Sequence, residues 1–141
     1  MMQKAAPLRR MVPVAVTMGI IFFLSHQPGD SLSLPEIPGM DKVAHLAVYA
    51  FLAATILLAF GDGQRHTRPK SVLWLTVLLC VLYGVSDEFH QSFVPGRSSS
   101  FFDVLADCAG ATLTSALWFR WRKRIARIGS WRDCFSAFLA K

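Results

Sequence analysis

Asp87 and Glu88 stand side by side in an otherwise apolar run, and His90, Gln91 and Arg97 follow them closely. A carboxylate among hydrocarbon side chains is a candidate general base. An arginine is a bidentate clamp for carboxylate or phosphate, and a histidine is an acid or an orienting group. The candidates for these roles are Asp87 or Glu88 as base, Arg97 as anion clamp and His45 as acid or orienter. Asp41, His45 and Tyr49 recur at i, i+4, i+8, the spacing of one helix face, with Lys42 beside Asp41. The same spacing joins Tyr83, Asp87 and Gln91. Asp103 and Asp107 begin a third stripe that continues through Gly110 and Thr114.

The elements that carry these residues are read from hydropathy. The chain has 141 residues, is 53% hydrophobic and 17% charged, and has a mean hydropathy of +0.40. Soluble domains carry about 25% charged residues. The apolar residues fall into four blocks, and a transmembrane helix needs about 20 mostly apolar residues. An all-α, four-transmembrane-helix bundle in a single domain is expected, with spans near residues 7–25, 42–60, 71–91 and 101–121 and a basic tail over 122–141. Lys and Arg cluster before the first block, between the second and third, and after the fourth. The positive-inside rule then puts both termini and the loop at 61–70 in the cytoplasm. Charges segregated in this way argue against a nucleic-acid surface. No A-x-A-like site follows Leu24, so the first span is expected to be retained rather than cleaved. Trp118 and Trp121 suit an aromatic belt. The tail over 131–141 has helical apolar spacing suited to a membrane surface.

On this topology the polar stripes meet. The end of span one, the start of span two, the end of span three and the start of span four all lie at the outer leaflet. Asp41, Lys42, His45, Tyr49, Asp87, Glu88, Gln91, Arg97, Asp103 and Asp107 then share a slab roughly 11 Å deep, two helical turns. His26 and Gln27 join them. Some have structural explanations: Asp41 as an N-cap, and Asp103 as the partner of Ser100 in a capping box. Asp107, Glu88, Asp87 and His45 have no such explanation, and an ionisable group inside the membrane is a functional candidate by default. Five carboxylates face only Lys42 and Arg97 as permanent cations. The excess acid requires a raised carboxylate pKa, a bound cation or a hydrogen-bonded protonated pair. Mg²⁺ or Ca²⁺ would suit oxygen ligands, but the spacing indicates no metal and no cofactor is expected. Cys80, Cys108 and Cys134 show no paired spacing. There is no G-x-S-x-G, H-E-x-x-H or P-loop pattern.

The blocks Ser25-His-Gln-Pro, Asp41-Lys-Val-Ala-His45 with Tyr49, Gly84-x2-Asp87-Glu88-x2-Gln91 leading to Pro-Gly-Arg97, and Asp103-x3-Asp107-x2-Gly110 resemble the VanZ-like family of small bacterial integral membrane proteins. The likeness runs in order across 25–110. Asp107 stands where the family's pattern usually has Asn. The resemblance implies a multi-pass protein of the bacterial cytoplasmic membrane, in a family named for a member linked to resistance to the glycopeptide teicoplanin. It does not make this chain a resistance determinant. The expected partner is an envelope lipid or lipid-linked precursor, bound or acted on in an outward-facing pocket. The alternative is a non-catalytic module whose polar cluster is an interhelical network. Ion transport is disfavoured, because the cytoplasmic halves of the spans lack ionisable residues.

Overall fold

The computed structural model describes residues 8–28 and 38–139, with side chains as far as residue 124. All its regular elements are helical. A 3-10 turn, Leu8–Arg10, leads into α1 (Val12–Ser25). It is followed by α2 (Met40–Ala59), the short α3 (Asp62–Thr67), α4 (Pro69–Gln91) and α5 (Phe101–Leu139). Among the described residues, three segments are long and apolar enough to cross a membrane: Leu8–Ser25, Met40–Ala59 and Pro69–Gln91. The tail's apolar face over 131–141, expected to suit a membrane surface, lies outside the described side chains.

Three boundaries differ from the sequence expectation. Gly39 takes a left-handed φ of 82° and caps α2, so the helix starts at Met40 and Asp41 is a first-turn acid rather than the N-cap. Its charge still faces the positive end of the helix dipole. The loop at 61–70 contains α3, where the Gln64 side chain accepts the Gly61 N–H at 3.1 Å. The last helix does not stop at Trp121. Arg, Lys and Ala are good helix formers, so helix outlasts hydropathy, and α5 continues to Leu139.

The helices alternate in direction. Arg10 Nη1 donates to the Phe60 carbonyl at 3.3 Å and Arg10 Nη2 lies 3.4 Å from Asp62, so the start of α1 and the α2–α3 turn share one end. Asp62 also takes an ion pair from Arg65, and this bond first, then Arg10, holds its carboxyl below the usual range. The opposite end gathers the end of α1, the start of α2, the end of α4 and the start of α5. There the α4–α5 connection turns at Val94–Arg97, with the Arg97 N–H on the Val94 carbonyl at 3.2 Å and Gly96 at φ 74°. Proline followed by a left-handed glycine is the sequence of a type II turn.

α2 packs most extensively against α5. A Cβ on Gly110 would lie 2.2 Å from the Leu46 carbonyl oxygen, so this helix pair meets backbone to backbone. Tyr49, Leu52, Ala53, Ile56, Cys80 and Ala111 form the core. The outer faces are apolar as well: Ile20, Phe51, Leu58, Trp74, Leu82 and Leu113 are each more than half exposed. Large side chains distributed around the bundle in this way suit a lipid solvent rather than water.

Candidate functional site

The end of the bundle where α1, α2, α4 and α5 converge holds all ten residues singled out from the sequence, in two groups that share Asp41 and His45.

The first group borders a cavity of about 290 Å³ between α1, α2 and α4. Asp41, His45 and Tyr49 line it from α2, Asp87 and Gln91 from α4, and Arg97 from the turn, facing Ile21, Leu24 and Val48. At its base Asp87 is fixed. Its Oδ2 accepts from Ser25 Oγ at 2.8 Å and from Gln91 Nε2 at 3.1 Å, and all three residues are buried. A carboxylate with two donors on one oxygen is held in place and kept as an acceptor. Tyr83 extends the same helix face, its hydroxyl donating to the Met18 carbonyl at 2.7 Å. Arg97 is half-buried and its Nη2 reaches the Leu24 carbonyl at 3.4 Å. Its Nε is buried with no hydrogen-bond partner, and among the described residues no carboxylate lies within ion-pair distance of it.

The second group ties α2 to α4 and α5. Lys42 Nζ lies 2.8 Å from Asp103 Oδ1 and 2.5 Å from Asp41 Oδ2. His45 Nδ1 lies 3.0 Å from Asp107 Oδ1, and His45 Nε2 faces Glu88 Oε1 at 3.9 Å. Glu88 Oε2 accepts the Ser100 N–H at 2.8 Å, at the entry to α5. The capping box is therefore divided. Ser100 Oγ does take the Phe102 N–H at 3.2 Å, but Glu88 supplies the reciprocal acceptor and Asp103 turns to Lys42. A cation across the helix interface offers a carboxylate more than a neutral N–H does.

Glu88 Oε1, Asp107 Oδ2 and Tyr49 Oη are buried with no hydrogen-bond partner. Asp107 is wholly buried, and a Cβ on Gly84 would lie 2.6 Å from its Oδ2, so a side chain there would displace the Asp107 carboxyl. His26 and His90, 3.2 Å apart, stack with Phe22 and contact each other rather than the carboxylates. Gln27 bonds the Phe23 carbonyl at 3.0 Å. Ser25 was visible in the sequence only as part of a motif. Its role as a donor to Asp87 could not be read from spacing, because the two lie 62 positions apart.

Fold and site together define an all-helical membrane protein with a polar cluster at one end of its bundle. The VanZ/LLP1 family model matches residues 10–122, and the chain belongs to that family. An uncharacterized protein, C11E3.10, of Schizosaccharomyces pombe is 30% identical over 106 residues, which is 74% of this chain and 62% of that protein. The chain thus spans less than two thirds of this curated relative's length. With a match in that organism, the likeness extends beyond bacteria. No solved structure matches the chain.

Proposed function

We propose that the protein crosses a cell-envelope membrane four times with both termini cytoplasmic, α5 supplying the fourth crossing. On this reading the cavity between α1, α2 and α4 opens toward the outer leaflet and receives the head group of an envelope lipid or lipid-linked precursor. The observation that carries it is Arg97: a half-buried guanidinium lining the cavity, with an unpartnered Nε and no carboxylate beside it. Guanidinium is a preferred group for phosphate, and the apolar wall of Ile21, Leu24 and Val48 suits the acyl or prenyl part of the same molecule. Glu88 is occupied at Oε2 and Asp87 by two donors, so binding is better supported than turnover.

The test is lipid mass spectrometry on purified wild-type, Arg97→Gln and Asp87→Asn protein, and on the cells that express each as the sole copy. Phosphate-bearing lipid should co-purify with wild type and be depleted at least several-fold in Arg97→Gln at equal folded yield. An unchanged lipid complement in both variants, in protein and in cells, would overturn the head-group reading.

A second reading is favoured by the ties between helices. Ser25–Asp87–Gln91 joins α1 to α4, and Lys42–Asp103 joins α2 to α5. If these are purely structural, Lys42→Met and Asp103→Leu should each lower folded yield, and the double substitution should restore part of it.

A further inference from the structure

We propose that His45, Glu88 and Asp103 bind a divalent transition-metal ion of the zinc or manganese class. One ligand atom from each of these residues lies within 4.8 Å of the others, and both carboxylates are more than nine-tenths buried. The inference goes beyond the head-group reading and does not require it.

The geometry of His45 carries the argument. The 3.0 Å contact pairs Nδ1 with Asp107 Oδ1, and when Asp107 is the acceptor the imidazole proton sits on Nδ1. The Nε2 lone pair then points toward Glu88 Oε1, which is buried with no hydrogen-bond partner. Two acceptors facing each other need a proton or a metal ion between them. Their 3.9 Å separation is too long for a direct hydrogen bond. It is about 0.5 Å wider than the gap spanned by a tetrahedral ion bonded at roughly 2.1 Å to each. A carboxylate on the far nitrogen of a ligating histidine is the usual orienting partner in such sites, and Asp107 is in that position. Glu88 is oriented by the Ser100 N–H on its other oxygen. Lys42 occupies Asp103 Oδ1, and a carboxylate has a second oxygen to offer. One nitrogen and two oxygens suit zinc or manganese better than magnesium or calcium, which prefer all-oxygen sets. Three protein ligands would also leave a coordination position for water or a phosphate oxygen.

The experiment uses the full chain in lipid nanodiscs, stripped with EDTA, in a His26→Ala/His90→Ala background that removes the exposed imidazole pair. Zn²⁺, Mn²⁺ and Co²⁺ are titrated in turn, and bound metal is counted by plasma mass spectrometry after desalting. Wild-type ligands should retain about one equivalent of Zn²⁺, and Co²⁺ should give the visible absorption of a low-coordinate site with a nitrogen ligand. Glu88→Gln and His45→Gln should lose that binding. Asp107→Asn should weaken it by roughly 10–100-fold with helical circular dichroism unchanged. Sub-stoichiometric metal in the wild-type-ligand protein would overturn the proposal without recourse to any variant. So would equal binding in Glu88→Gln and His45→Gln. Because lipid occupancy is read separately, loss of the metal site and loss of the head-group site are distinguishable.

Discussion

Asp107 is the most confined charged residue of the cluster. One oxygen holds His45 and the other lies against Gly84 with no hydrogen bond. A buried carboxylate with one unsatisfied oxygen destabilises the bundle unless a neighbouring cation offsets it. An asparagine would keep an acceptor for His45 Nδ1–H and remove the charge, and it is the residue that the VanZ-like pattern usually has here. Asp107→Asn is therefore expected to leave thermal stability in detergent unchanged or slightly raised. Asp107→Leu abandons the imidazole N–H in a half-buried site and should cost about 1–3 kcal/mol. Thermal unfolding followed by circular dichroism separates the two. If the asparagine variant were as damaged as the leucine variant, Asp107 would matter for its charge and not as a hydrogen-bond acceptor.

At the level of elements, two glycines set how closely the helices approach, and they differ in what a methyl group would strike. At Gly110 it would strike the Leu46 carbonyl at 2.2 Å and approach the Ala50 nitrogen at 3.1 Å, both backbone atoms that cannot swing away. At Gly84 the nearest atom is the tip of the Asp107 side chain. Gly110→Ala should force α5 off α2 and cost about 1–3 kcal/mol. Gly84→Ala should cost less and chiefly displace Asp107, and with it His45; unfolding curves of the pair would show the order. The small face of α5 was legible in the sequence, as were the stripes Asp41–His45–Tyr49 and Tyr83–Asp87–Gln91, because helical period alone generates them. Period does not say which neighbour a face meets. The division of the ten residues between a cavity and an interhelical knot therefore came only with the helix rotations. The partner of Glu88 is a backbone N–H, which no side-chain pattern encodes. Asp103 matched a local capping motif, yet the stronger attraction of Lys42, 61 positions away, prevailed.

For the whole molecule, the decisive quantity is how many helices cross the membrane and in which direction. Among the described residues three segments qualify on length and apolarity. α5 carries Asp103 and Asp107 in its first two turns, but both are buried against α2 and α4, while Phe101, Phe102, Leu105, Leu113 and Leu117 on its outer face are exposed. Its cost in lipid is set by that outer face, which is apolar, so α5 fits as a fourth span once it is packed. On the four-span proposal the α2–α4 connection and the α4–α5 turn lie in opposite compartments, and the distribution of Lys and Arg would put the first in the cytoplasm. The test replaces Cys80, Cys108 and Cys134 and places single cysteines at the exposed His66 or Ser99. A membrane-impermeant maleimide should label Ser99→Cys in intact cells and His66→Cys only after permeabilisation. Labelling of both from the same side would sink the four-span topology. The reverse pattern would keep the bundle but turn the cavity toward the cytoplasm, where an outer-leaflet head group could not reach Arg97.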